Sequence, residues 1–296
     1  MRVAALAAVA ALAFGAIAAT GAAGTADAPS VVATTTVIAD WARAVGGDRA
    51  TVHQLLRPNT DPHEYEPRPD DVRATSGAKV VFENGLGLDD WMGKVVSSAG
   101  GDARVVDLGA SVVDRIPGDP HWWHDPRNAA AAVAAIRDAL VRADPQGAGA
   151  LRRNATTYLR TLRALDSELA SCFASVPASQ RKLVTDHDAF RYFARRYGLH
   201  IVGAVIPSLT TQGQPSAGET ARLIRLVRRE HVHAVFPESS VNPRLAQTIA
   251  RATGASARYT LHGDALGPGQ TYLQMERANA DAMMRGFTGG RRGCGT

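Results

Sequence analysis

Cysteine is nearly absent from this chain: Cys172 and Cys294 are the only two in 296 residues. Neither stands in a CxxC or CxxH pair, which argues against either as a zinc ligand. Basic charge is present but not concentrated. The formal net charge is +5, and the arginines that supply most of it are spread along helical stretches. No Lys/Arg block interleaved with aromatics occurs, so a nucleic-acid partner is not expected. The closing "GGRRGCGT" is a short basic tail, read as a solvated end. The compact signatures of catalysis are missing too: no HExxH, no GxSxG elbow, no Walker A loop. Beyond the first 28 residues no long apolar run occurs, so the mature chain is expected to be soluble.

What is present begins at the N-terminus. Arg2 supplies a small positive region, "VAALAAVAALAFGAIAA" is an apolar core, and "GAAGTADA" offers small-residue cleavage sites. Residues 1–28 are therefore read as a secretory signal peptide, with retention as an N-terminal anchor as the alternative. No Cys lies near the cleavage region, so no lipid anchor is expected, and the mature protein is expected in the periplasm or secreted. In an oxidising compartment Cys172 and Cys294 are expected to form one disulfide, with two free thiols as the alternative. At 45% hydrophobic and 21% charged, the chain is globular and long enough for two domains.

Each half repeats a strand-loop-helix pattern. In the first, "SVVA", "ATVHQLL", "AKVVFENG" and "ARVVDLG" read as strands. In the second, "RKLVTDH", "HIVGAVI", "HAVFPES" and "ARYTL" do, with amphipathic helical stretches between. Such alternation predicts an α/β fold with parallel sheets in both halves. A long helical run from about Pro126 to Val176 separates them, broken near Asp144-Pro145 because proline disfavours the helical conformation of the residue before it. The expected division is an N-terminal lobe over 29–144, a rigid linker helix over 145–178 and a C-terminal lobe over 179–296.

Four dispersed residues then stand out: His63 in "NTDPHEYEP", His121 in "GDPHWWHDP", His187 in "VTDHDAF" and Asp264 in "LHGDALG". Each lies in a loop after a predicted strand, where parallel α/β sheets bind ligands. Three imidazoles and a carboxylate complete a tetrahedral zinc set with no position left for water, which suits capture rather than chemistry. Two donors from each half place the metal in the cleft between lobes. His124, three residues after His121, is an auxiliary candidate, either beside the site or at its entrance, with an aromatic cluster before a helix capped by Asp125 as the plain reading. His187 precedes a helix whose dipole favours a neutral ring, the form that binds metal. Asp186 or Asp188 is a candidate to orient that ring, with helix capping as the alternative. Glu238 in "VFPESS" is a fifth ligand, an orienting group or a helix cap, and His262 is peripheral. With ordinary imidazoles, metal affinity is expected to fall below about pH 6.

These segments resemble a known family. "TDPHEYEP", "DPHWWHDPRN", "KLVTDHDAFRYFARRYGL", "VFPESSVNP" and "GDALGPGQTYLQMERAN" are similar to signatures of metal-specific periplasmic solute-binding proteins of ABC transporters. This is the zinc/manganese cluster (cluster A-I) of the ZnuA, TroA and AztC type, and the likeness covers about Pro29 to Phe287. It implies two βα lobes with four-stranded, mainly parallel sheets, joined by one long helix that limits lobe motion. It also implies a single transition metal in the cleft, delivered to a permease powered by an ATPase, with a periplasmic zinc chaperone as a further partner and a monomeric carrier. By motif the ligands are His63, His121, His187 and Asp264. Manganese-type members tend to carry Glu at the third position, so His187 favours Zn²⁺ as the transported ligand. A manganese or iron carrier on the same fold is the alternative. A zinc-dependent hydrolase with Glu238 as base is a more distant one, since Asp186-His187-Asp188 near Ser208 or Ser239 lacks a nucleophile motif. Two departures from the family pattern are a short, His-free "ASVVDRIPG" before the second motif and His124 at a position usually apolar.

Overall fold

A computed structural model of the chain describes residues 28–295. The expected signal peptide, residues 1–28, lies outside the described residues except for Ala28. Among the described residues no helix is long and apolar enough to cross a membrane.

The first half builds four parallel strands: β1 (Ser30–Ala33), β2 (Thr51–Gln54), β3 (Val80–Glu83) and β4 (Arg104–Asp107), in the order β2-β1-β3-β4. The Val-rich central strands β1 and β3 are almost wholly buried, as strands covered on both faces must be, whereas the edge strands β2 and β4 are partly exposed. The helices α1 (Thr36–Gly46), α2 (Pro69–Ser76) and α3 (Met92–Ala99) connect them. The side chain of Thr35 caps α1, accepting from the Ile38 amide, and Gly47 ends it at a positive φ of 51° that favours glycine.

Helix α4 (Pro126–Ala143) starts at the Asp125 cap, as its sequence predicts, and stops at Asp144. The Asp144 carboxylate accepts from the Gly147 amide and pairs with Arg49, which pins the break. Helix α5 (Ala148–Ala174) is 27 residues long, about 40 Å at helical rise. It buries Leu151, Leu162, Leu165, Leu169 and Phe173, and packs on α1 and α4 of the first half and on α6 (Arg191–Tyr197) and α9 (Tyr272–Phe287) of the second.

The second half pairs β5 (Lys182–Thr185) with β6 (His200–Ala204) in parallel. Helices α7 (Ala217–Arg229) and α8 (Arg244–Thr253) follow. The other two expected strands are present only as isolated parallel bridges, Thr185 with Phe236, Ala234 with Ser256 and Glu238 with Leu261. Pro237 is the physical reason, because it has no N–H to give to a continuous ladder. The chain still runs alongside: the Phe236 amide donates to the Val184 carbonyl and the Leu261 amide to Pro237.

One apolar core runs through both halves, from Val31 and Trp41 through α4 and α5 to Phe193, Met283 and Phe287. Smaller clusters cover the outer faces, around Leu55, Val81 and Met92 in one half and Val205, Leu223 and Ile249 in the other. The C-terminal segment also crosses back. The Leu266 amide donates to Thr36 Oγ1, and the Tyr272 amide to Asp40. Cys172 and Cys294 form the expected disulfide, closing a loop across 122 positions. A disulfide typically stabilises a fold by about 2 to 4 kcal/mol, more for longer loops.

Candidate metal centre

Two copies of the same tripeptide shape one side of the site. In Asp61-Pro62-His63 the Asp61 carboxylate accepts from the His63 amide at 2.8 Å, and in Asp119-Pro120-His121 the Asp119 carboxylate accepts from the His121 amide at 2.9 Å. Each Asp closes a tight turn that aims the imidazole inward. On the other side His187 lies two residues past β5, and Asp264 three past the bridge at Leu261. All four reach the cleft from the carboxyl ends of parallel strands.

The four side chains converge, each offering a donor atom within 4.8 Å of the others. His121 Nε2 lies 3.3 Å from His63 Nε2 and 3.2 Å from His187 Nε2. The Asp264 oxygens lie 3.4 Å from His121, 3.6 Å from His187 and 3.9 Å from His63. A tetrahedron with metal–ligand bonds of about 2.0 to 2.1 Å has donor–donor edges of about 3.3 Å. The cluster therefore has the size and shape of one coordination sphere. Asp264 is 1% exposed, and neither of its oxygens has a hydrogen-bond partner. A buried carboxylate without a donor is costly unless a cation neutralises it.

Two rings are held by carboxylates through their far nitrogens. His121 Nδ1 meets Asp119 at 2.9 Å, and His187 Nδ1 meets Glu238 at 3.1 Å. The Nδ1–H donated to each carboxylate leaves Nε2 as the lone-pair donor facing the cleft. Burial alone would lower the His187 pKa, but the adjacent Glu238 and Asp264 carboxylates hold it well above the ordinary imidazole value. His121 is likewise raised, Asp119 and Asp264 outweighing burial. His63 goes the other way: burial pushes it down to about 4, and charge on His121 and His187 adds to the effect. Burial would raise Asp264, yet the charge on His187 and the contacts from both rings keep it well below the usual carboxylate range.

Several sequence expectations change here. No helix N-terminus acts on the His187 ring, because α6 begins four residues later, at Arg191, and the Glu238 and Asp264 carboxylates set the direction of its shift. Asp186 does not touch the His187 ring. It accepts from the Glu238 amide at 2.7 Å, and Glu238 does the orienting. Neither Asp186 nor Asp188 caps α6, whose cap position is Phe190. His124 is neither at the entrance nor an auxiliary ligand. It is fully buried, with one ring nitrogen on Glu276 and the other on the Gly263 carbonyl. His262 is peripheral, bonded to Ser239. Sequence reasoning missed Asp119, although the repeated Asp-Pro-His tripeptide marks it. It also missed Thr211 and Gln212, which reach across the cleft to Asp61 at 2.5 Å and to the His63 carbonyl at 2.6 Å.

A four-donor site between two βα lobes marks a metal-binding solute-binding protein of the ABC-transporter class. The chain belongs to the family described as zinc-uptake complex component A, periplasmic, whose signature matches residues 31–286. It is 32% identical over 268 residues to the manganese-binding lipoprotein MntA of Halalkalibacterium halodurans, covering 87% of this chain and 88% of that one. It is also 32% identical to the iron-binding protein YfeA of Yersinia pestis, covering 87% and 86%. Among solved structures, the periplasmic zinc-binding protein TroA of Treponema pallidum superposes with a TM-score of 0.81 at 27% identity, over 88% of this chain and 99% of that one. These relatives are named for three different metals, so kinship fixes the class and not the cation. MntA is a lipoprotein by name. That departs from the expectation of no lipid anchor, and the segment concerned lies outside the described residues.

Proposed function

We propose that this protein captures Zn²⁺ outside the cytoplasm and passes it to an ABC importer, with His63, His121, His187 and Asp264 as the four ligands. The observation that carries the reading is Asp264: a buried carboxylate, without a hydrogen bond on either oxygen, ringed by three imidazoles. Three nitrogen donors and one oxygen suit zinc, whereas manganese prefers oxygen-rich coordination, and the affinity order at such a site also places Zn²⁺ above Mn²⁺. A filled tetrahedron leaves no position for an activated water, which favours carriage over hydrolysis. The lobes 29–144 and 179–296 act as the two walls, and the helix of the 145–178 linker keeps them in register. The partners are a permease with its ATPase, and the carrier works as a monomer.

The names of MntA and YfeA support a second reading, in which the same four donors carry Mn²⁺ or Fe²⁺. Native mass spectrometry of the chelator-stripped protein, offered equimolar Zn²⁺, Mn²⁺ and Fe²⁺, separates the two. One zinc per chain is the expected result. Retention of manganese or iron in its place would move the protein to the second reading.

A further inference from the structure

The buried ring of His124 has no part in the tetrahedron, yet both its nitrogens are engaged. Nε2 lies 2.8 Å from the Gly263 carbonyl, and Nδ1 lies 2.8 Å from Glu276 on α9. A carbonyl oxygen only accepts, so Nε2 carries a proton and donates it. The ring stacks on Phe190 at 4.4 Å, which fixes its plane. Trp123 donates a second N–H to the same Gly263 carbonyl at 3.1 Å. Two neighbouring residues of the first lobe therefore grip one peptide of the second.

That peptide carries the only oxygen donor of the site on its next residue. Its other side is equally confined. A Cβ at Gly263 would lie 2.1 Å from Glu238 Oε2 and 3.5 Å from His187 Cε1. Gly263 thus sits against the carboxylate that orients His187, with its carbonyl clasped by Trp123 and His124. Nothing hydrogen-bonds the Asp264 carboxylate itself, so its placement depends on the backbone from which it emerges.

We propose, building on the metal-site reading above, that His124, held by Glu276 and assisted by Trp123, is a positioning residue that fixes Asp264 for metal binding through the Gly263 carbonyl. A ring acting in this way affects metal only while Asp264 is there to be placed. A ring serving only the core affects metal binding to the same extent whether or not Asp264 is present.

The test is a competition titration with Zn²⁺ on the full chain, using His124→Phe in the wild-type and Asp264→Asn backgrounds. Phe keeps the stacking and removes the donor. The expected result is an affinity loss of about tenfold in the wild-type background, as for other residues that orient ligands, and less than about twofold in the Asp264→Asn background. His124→Gln, which restores an N–H toward Gly263, should recover most of the loss. Equal losses in both backgrounds, or no loss in the wild type, would overturn the positioning role. Wild-type affinity in Asp264→Asn alone would instead overturn the metal-site reading beneath it. If His124→Phe shows no cooperative thermal unfolding, Trp123→Phe carries the same test, because it removes the other donor to Gly263 without stranding Glu276. A loss of about threefold that disappears with Asp264→Asn is then expected, and an undiminished one overturns the proposal.

Discussion

The two ends of the metal site are built differently. At its floor His121 and His187 are fully buried, and each ring is tied to a carboxylate within 3.1 Å. At its mouth His63 has no carboxylate on its Nδ1, and it sits on a loop secured from outside. Thr211 and Gln212 hold that loop from one direction, and the Leu266 carbonyl accepts the Asn59 amide from another. The floor is set by buried packing and charge, and the mouth by a few polar contacts near solvent. A carrier needs this division, since the metal must be held firmly and still leave by one side.

The sharpest way to break the comparison is to delete a donor at each end. His121→Ala or His187→Ala should weaken zinc binding by about 100-fold or more, above the range seen when only an orienting partner is lost. His63→Ala should cost less at equilibrium and act mainly on the dissociation rate, because its ring is the least constrained. Stopped-flow release into a chelator measures both. Equal losses at the two ends would erase the distinction between floor and mouth.

Proton competition follows from the same asymmetry. The neighbouring carboxylates pull the His121 and His187 imidazoles upward, while burial lowers His63 to about 4. Metal binding therefore displaces protons from the floor imidazoles as pH falls through their raised values, and affinity should drop by about tenfold per pH unit for each proton displaced. The sign is fixed by the ligand chemistry: only the unprotonated nitrogen binds metal, so acid opposes binding. Because the floor imidazoles are raised, the decline begins above the ordinary imidazole value of about 6.5 and not near 6. Calorimetry in buffers of different ionisation enthalpy counts the protons. Proton release that sets in only below the ordinary imidazole value would contradict the upward pull of the floor carboxylates.

A smaller effect isolates the carboxylates behind the floor. Glu238→Gln and Asp119→Asn preserve shape but weaken the pull on Nδ1–H, and each should reduce zinc affinity by about tenfold. The equivalent change at the mouth, Asp61→Asn, removes no contact to the His63 ring and should have less effect on equilibrium affinity. Were Asp61→Asn as damaging as Glu238→Gln, the mouth would be as rigidly specified as the floor.

How much of this could be read in the sequence depended on how local each cause was. His63, His121, His187 and Asp264 were legible because each follows a strand within a short motif, and strand ends are where α/β sheets bind. The first-lobe strands were legible from their Val-rich runs. The last two strands of the second lobe were overstated, although Pro237 carried the warning. Which carboxylate faces His187 was not legible, because Glu238 arrives from 51 positions away. His124 was recognised as a residue of interest, but which way its ring turns is a matter of packing. Thr211 and Gln212 left no local signal, since their partners lie about 150 residues earlier.

The least of the expected effects tests whether that long-range contact works as a latch. The Thr211 hydroxyl donates to Asp61, whose carboxyl burial pushes up to about 6 even against this hydrogen bond. Replacing Thr211 with Val keeps the shape and removes the donor. A single hydrogen bond of this kind contributes about 1 kcal/mol, so zinc release should quicken by about fivefold. The coordination itself should be untouched, because no ligand is altered: Co²⁺ substituted into Thr211→Val should give the wild-type visible spectrum. A changed spectrum would mean that Thr211 shapes the tetrahedron directly. An unchanged release rate would mean that the mouth opens without parting this bond, and the floor alone would then govern how long the metal stays.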